Sequence, residues 1–314
     1  MSTAYVFPGQ GSQKVGMGRA WADQYEGARA AFAEADEVLG FALSKLCWEG
    51  PEEDLQLTEN TQPAILTTSI AIYRAVVDDL ESPGVMAGHS LGEYSALVAA
   101  GSLSFPDALR LVKSRGRFMQ EAVPAGQGAM AAILGLDSQT VEGIAAAATT
   151  VDEVCAVANF NAPAQTVVSG AAPAVERAVA LASEQGARRA VLLPVSAPFH
   201  SPLMRPARKR LEPMLRATAF ASPDVQVIAN VDAAPVTDGE TACDRLGRQV
   251  DSPVRWVDSV HAMVADFGVE SFIEMGPGSV LSGLARRIEG ESSQLSLAEP
   301  ENFEKLLAAR EDVT

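Results

Sequence analysis

Gly88-His89-Ser90-Leu91-Gly92 has the residue types and spacing of a nucleophile elbow. It follows a short apolar run and precedes a helical one, so a strand must turn sharply into a helix here. The flanking glycines permit that turn, which projects the serine hydroxyl. The helix N-terminus and the Leu91 backbone N–H then lie where an oxyanion would develop. The plainer alternative is a serine that caps a helix.

A serine nucleophile needs a base, because its hydroxyl is inert near neutral pH. The chain has three histidines. His89 adjoins Ser90, and neighbours on an elbow point apart. His261 lies off the apolar line Val257, Val260, Val264 and Phe267 of its helix, which suits a solvated surface position. His200 sits just past a strand, in Ala197-Pro198-Phe199-His200-Ser201-Pro202, where sheets of this kind place catalytic groups. It is the expected base, with a structural loop histidine as the alternative; an unperturbed imidazole would titrate near ~6.5. No Asp or Glu between Ser90 and His200 occupies an obvious catalytic loop, so a standard triad is not expected.

Arg115 is the third chemical signal. In a helix predicted over 106–122, Ala108, Leu111, Val112, Arg115 and Met119 share one apolar face. An inward arginine is costly unless it meets a carboxylate. That carboxylate belongs either to a structural Asp or Glu or to a ligand, which the guanidinium fork would grip at two points. Its position soon after the elbow favours the ligand.

The elements that must hold these groups read as α/β. A strand at 3–7 runs into the loop Pro8-Gly9-Gln10-Gly11-Ser12-Gln13, and helices are expected at 21–39 and from Asn60 to Asp79, with Pro63 in the first turn of the second. A strand at 84–88, then helices at 91–100 and 106–122, complete a pattern that argues for a parallel sheet covered by helices. The rhythm then changes. Strand 129–134, helix 138–148, strands 154–159 and 166–169, helix 173–184 and strand 190–193 make a β-α-β-β-α-β unit, ferredoxin-like in order. Helices at 202–215, 253–267 and 277–288 and strands at 225–229 and 271–275 follow, and the end from residue 289 is a peripheral helix or frays. A small domain inserted into a larger one is therefore expected.

Composition excludes several classes. With 24 basic and 40 acidic residues the net charge is −16, so nucleic-acid binding is not expected. The three cysteines are far apart and show no metal-ligand spacing, which fits a reducing compartment. No basic-then-apolar leader and no apolar run of about 18 residues is seen. A cytoplasmic protein that does not enter the membrane is the expectation.

The motifs also carry a resemblance. Phe7-Pro8-Gly9-Gln10-Gly11-Ser12-Gln13, Gln62-Pro63-Ala64, the elbow through Glu93-Tyr94, Arg115-Gly116 and Asn159-Phe160-Asn161-Ala162-Pro163 form its first part. Phe199-His200-Ser201, Gln249-Val250-Asp251-Ser252-Pro253-Val254-Arg255-Trp256 and Glu274-Met275-Gly276-Pro277-Gly278 complete it. In this order, over nearly the whole chain, they resemble the malonyl-CoA:acyl carrier protein transacylases. The resemblance implies a hydrolase-like parallel-sheet catalytic domain of residues 1–124 and 197–314, with a ferredoxin-like small domain at 125–196. It implies Ser90 as the acylated nucleophile and His200 as its base. Backbone N–H groups of Gln10 and Leu91 would form the oxyanion hole, and Arg115 would hold the malonyl carboxylate. The segment around Gln249 would orient the histidine without an acid. Phe199 and Leu91 resemble a malonyl-selective pattern, and for Gln62 both substrate contact and packing at a helix start stand open.

The activity so implied is transfer of a malonyl group from malonyl-CoA to the phosphopantetheine thiol of an acyl carrier protein, through an acyl-serine, for fatty acid synthesis. A trans-acting acyltransferase of a polyketide synthase is the near alternative. A thioester hydrolase would not need an inward Arg115, and an inactive docking subunit would not need Ser90, His200 and Arg115 together. Neither metal nor redox cofactor is expected. Carrier proteins are acidic, as is this chain, so docking calls for a local basic patch. Arg205, Arg208, Lys209 and Arg210, with Arg286 and Arg287, are the candidates, against the alternative of a solvated helix face. A monomer is expected.

Overall fold

Alternation sets the central sheet. In β1 (Ser2–Phe7) Tyr5 and Phe7 enter one core while Ala4 and Val6 enter the other, so the strand is covered on both faces. The computed structural model describes residues 2–195 and 197–311. The expected boundary residue Ser196 and the ends at 1 and 312–314 lie outside the described residues.

Five helices separate β1 from β2 (Val85–Gly88): α1 (Arg19–Gln24), α2 (Glu26–Leu39), α3 (Leu43–Glu49), α4 (Glu52–Gln56) and α5 (Thr58–Val76). The single helix expected over 21–39 is interrupted, because Tyr25 is extended at φ −117°, ψ 127°. Helix α5 begins at Thr58, so Pro63 lies past its first turn and removes a ladder bond. Helices α3 and α4 were not expected: they are too short to show a periodicity. Next come α6 (Gly92–Ala99) and α7 (Phe105–Glu121). The arginine-bearing face of α7 is buried as expected.

The inserted unit follows in the expected order: β3 (Gly128–Leu134), α8 (Ser138–Ala148), β4 (Cys155–Ala162), β5 (Gln165–Ala171), α9 (Ala172–Glu184) and β6 (Arg189–Leu192). It forms an antiparallel sheet in the order β4-β5-β3-β6, the ferredoxin-like arrangement. One face of this sheet shares a core with α8 and α9. From the other, Met130, Ala132, Ala158 and Val167 enter the main core.

The chain then returns with α10 (Arg205–Ala217), β7 (Val227–Ile228), β8 (Pro235–Val236), α11 (Gly239–Gln249), α12 (Trp256–Phe267), β9 (Val269–Glu274) and α13 (Val280–Ile288). The expected peripheral helix is α14 (Pro300–Glu311), and before it an unexpected strand, β10 (Ser293–Ser296), pairs parallel with β9. The large sheet runs β10-β9-β1-β2-β7-β8 and is parallel except for the β7–β8 hairpin. Adjacent β1 and β2 set the loops after their C-terminal ends side by side, in the crevice where such sheets bind ligands. The small sheet is seated at this end, since Phe160 N–H donates to the Val254 carbonyl at 2.9 Å and Val254 N–H to the Ala158 carbonyl at 2.8 Å. Among the described residues no helix is long and apolar enough to cross a membrane.

Candidate active site

The turn after β2 is built by contact. A Cβ on Gly88 would overlap the Gly92 carbonyl, and one on Gly92 would overlap the Phe7 carbonyl. The two arms of the elbow therefore cross with no side chain between them, and the start of α6 rests on the end of β1. Ser90 is left at φ 52°, a left-handed conformation that costs a non-glycine residue about 1–2 kcal/mol. Asn230, the second residue beyond β7, holds it there. Its Oδ1 accepts from Ser90 N–H at 2.6 Å, and its Nδ2 donates to the Gly88 carbonyl at 2.7 Å.

His200 is buried, also at positive φ (57°), and its Nε2 lies 2.7 Å from Ser90 Oγ. Its Nδ1 faces two acceptors, the Gln249 carbonyl at 3.0 Å and the Ser252 carbonyl at 3.2 Å. A carbonyl only accepts, so Nδ1 carries the proton and Nε2 is left to accept from the serine hydroxyl. Two carbonyls thus do the orienting that an acid does in a triad. Burial pushes the imidazole down to about 3, with Arg115 adding to the effect, so the ring stays neutral.

Arg115 is 2% exposed and meets oxygens without charge. Nη1 donates to Gln62 Oε1 at 2.9 Å, while Nη2 donates to Gln249 Oε1 at 2.9 Å and to Ser90 Oγ at 3.1 Å. Nε has no partner among the described residues, and the guanidinium lies over the Tyr94 ring at 5.7 Å. Gly116 lets α7 approach α5 this closely, since a Cβ there would fall 2.5 Å from the Thr58 carbonyl. The structural Asp or Glu considered for Arg115 is not in contact with it. Gln249, fully buried, closes the cluster: Nε2 donates to the Ser90 carbonyl at 2.9 Å and to Glu93 Oε2 at 2.7 Å.

The remaining expected residues fall in several places. Leu91 leads into α6, and among the described residues neither its backbone N–H nor that of Gln10 has a protein partner. Gln10 is exposed, with its side chain 3.4 Å from Thr58 Oγ1. Phe199 is buried in the main core beside His200. His89 points away from Ser90, as expected, to Asn161 at 2.8 Å, and His261 is exposed. Arg208 is half-buried and bound to Glu212 at 2.7 Å and Asp251 at 3.2 Å, so it braces the loop that follows Gln249. Lys209, Arg286 and Arg287 are exposed, on the separate helices α10 and α13. Asn230 carries no motif of its own, and Glu93 enters the sequence only as part of the matched elbow motif. Asn230 ends an apolar strand run at the sheet edge where sites gather, and Glu93 is a carboxylate inside an otherwise apolar helix.

The cluster can activate a serine, stabilise an oxyanion and hold a carboxylate beside the reacting carbon. Residues 4–298 match the family described as acyl transferase domain. The chain is 48% identical over 301 residues to the malonyl CoA-acyl carrier protein transacylase of Bacillus subtilis (strain 168), covering 96% of this chain and 95% of that protein. It superposes with TM-score 0.95 on an acyl carrier protein S-malonyltransferase from Vibrio cholerae, 48% identical, covering 98% of this chain and 100% of that one. A malonyl-transacylase solved in complex with a type II PKS acyl-carrier protein gives TM-score 0.95 at 42% identity, covering 98% of this chain and 100% of that one.

Asn230→Ala removes both supports of the elbow and strands the Ser90 N–H and the Gly88 carbonyl, each worth about 1–3 kcal/mol when buried and unpaired. Urea unfolding of this variant should show a loss of about 2–6 kcal/mol. Ser90 should also become less reactive toward an activated ester. Stability and reactivity equal to those of the parent would show that the turn holds itself.

Proposed function

The chain belongs to the malonyl-CoA:acyl carrier protein transacylase family of acyltransferases, and we propose that Ser90, His200 and Arg115 carry that family's reaction here. The substrate is malonyl-CoA and the acceptor is the phosphopantetheine thiol of an acyl carrier protein, in fatty acid synthesis. The observation that carries the reading is Arg115: a buried cation with no acid in contact, 3.1 Å from the nucleophile. A hydrolase of neutral thioesters has no use for it. A polyketide carrier protein is the second reading for the acceptor, favoured by the malonyl-transacylase solved with such a partner.

Ser90 Oγ attacks the thioester carbonyl as its proton moves to His200 Nε2. The tetrahedral oxyanion forms between the Leu91 and Gln10 N–H groups. Collapse expels the CoA thiolate, which takes the proton from His200 and leaves malonyl-Ser90. The carrier thiol then gives its proton to His200 and attacks the ester. The second intermediate releases Ser90, which recovers that proton. A thioester and a serine ester exchange without metal or redox group. Arg115 holds the malonyl carboxylate throughout, with Gln62 and Gln249 fixing its two terminal nitrogens. Phe199 shapes the wall beside His200. Lys209, Arg286 and Arg287 offer the basic surface for the acidic carrier, and Arg208, engaged with Glu212 and Asp251, contributes least. The protein acts as a cytoplasmic monomer of two domains, residues 1–124 with 197–314 and residues 125–196, and its three cysteines are free thiols.

Three outcomes test this reading. Intact mass after incubation with malonyl-CoA should show one malonyl adduct that an acyl carrier protein removes, and Ser90→Ala should show none. An adduct on Ser90→Ala would assign the nucleophile elsewhere.

Arg115→Ala should lose malonyl transfer by about two to three decades or more, from the roughly 3–5 kcal/mol commonly lost with a buried charge partner, and retain acetyl transfer. Arg115→Lys should restore malonyl transfer only in part, because an ammonium lacks the fork. Equal loss for malonyl-CoA and acetyl-CoA would make Arg115 a structural residue.

The depressed imidazole changes the pH expectation. An ordinary histidine would lose its base form below ~6.5. Here kcat/KM, which reports the free enzyme, should hold level from pH 7 to 5, and His200→Ala should be slower by roughly 10²–10⁴-fold throughout. A limb centred near 6.5 would place the imidazole in a wetter setting than the one described.

A further inference from the structure

Resting on that reading, we propose that Glu93 is a positioning residue, the resident counter-charge of Arg115 relayed through the Gln249 amide, and that capture of the acyl carboxylate by Arg115 drives a proton onto Glu93. Glu93 is 1% exposed, and its Oε2 accepts from Gln249 Nε2 at 2.7 Å and from Asn230 N–H at 3.0 Å, both uncharged donors. The other end of the same amide, Gln249 Oε1, accepts from Arg115 Nη2 at 2.9 Å. Among the described residues no opposite charge lies within 4.0 Å of either Glu93 or Arg115. The amide is fixed in one orientation, with its NH₂ toward the anion and its oxygen toward the cation. A buried anion and a buried cation thus balance each other across one neutral side chain.

Such a balance is easily tipped. The groups facing Glu93 are Arg115 from α7, Asp232 from the β7–β8 turn, Tyr94 on its own helix and, beyond Gln249, His200. Burial pushes the Glu93 carboxyl up to about 7, Asp232 pushes the same way, and Arg115 opposes them. A malonyl carboxylate on Arg115 takes over the one cation that favours the Glu93 anion, while the repulsion from Asp232 stays. A proton from solvent then neutralises Glu93. With that proton on Oε1, Oε2 still accepts both hydrogen bonds, so Gln249 does not move. A neutral acyl group leaves the balance intact and takes up no proton. Because the bound state holds more protons than the free one, malonyl affinity rises as pH falls from 8.5 toward 7, by up to about tenfold per unit for a whole proton.

The test is calorimetry on Ser90→Ala, which cannot be acylated, titrated at pH 8 with malonyl-CoA and with acetyl-CoA in two buffers of different protonation enthalpy. Both esters share the CoA phosphates, so the difference between them belongs to the acyl group. The expected result is uptake of most of one proton with malonyl-CoA beyond any seen with acetyl-CoA. Adding Glu93→Gln, which keeps the accepting oxygen without the charge, should abolish that difference and flatten malonyl affinity between pH 7 and 8.5. Equal uptake with the two esters, or uptake that survives Glu93→Gln, overturns the proposal. Should Glu93→Gln not fold, infrared difference spectra of Ser90→Ala labelled with carboxyl-¹³C glutamate decide instead. A labelled protonated-carboxyl band must appear with malonyl-CoA, and its absence overturns the proposal. A malonyl adduct on the wild type without differential proton uptake refutes the role of Glu93 alone. No malonyl-CoA binding and no adduct refutes the reading on which it rests.

Discussion

A buried guanidinium, touched by no acid among the described residues, is the constraint around which this molecule is arranged. Isolated charges are expensive to bury, and the cost is tolerable only where hydrogen bonds and more distant charges share the load. Arg115 is satisfied by the carboxamides of Gln62 and Gln249, the Ser90 hydroxyl and the Tyr94 ring face. They come from α5, the elbow, α6 and the end of α11, so keeping the arginine in place fixes these four at once. Burial depresses the His200 imidazole, and the field of the same cation adds to the effect. One buried charge thus bears on both the packing of these elements and the imidazole beside Ser90.

Both side chains proposed to react stand on strained backbone. Ser90 and His200 each have positive φ, which L-residues avoid, and each is pinned by polar groups from a distant part of the chain. Asn230 ties both arms of the elbow to β7. The Gln249 and Ser252 carbonyls tie the imidazole to the loop after α11. The site is rigid because its supports are rigid strands and helix ends, and the conformations they hold could not persist in a free loop.

Much of this was open to reading in the residues. The elbow, the lone suitable histidine and the inward arginine are local patterns, and each needs only a few neighbours to be seen. The β-α-β-β-α-β rhythm is likewise local. What could not be read was contact over long sequence distance. Asn230 looks like the end of a strand until β7 is placed beside β2. Glu93 looks like the first acid of a helix until Gln249 arrives 156 positions later. Pro63 looked like a helix start, yet helix α5 tolerates it deeper inside. The last strand, Ser-Gln-Leu-Ser, is too polar to signal itself and exists because β9 offers it an edge.

The seam between the two sheets has a mechanical consequence. Val254 is stitched to β4 by two backbone hydrogen bonds, and it lies two residues beyond Ser252, whose carbonyl helps hold the imidazole. The chain between them includes Pro253, which leaves little slack. Any tilt of the small sheet would therefore be carried through this short tether to the carbonyl that orients the His200 ring.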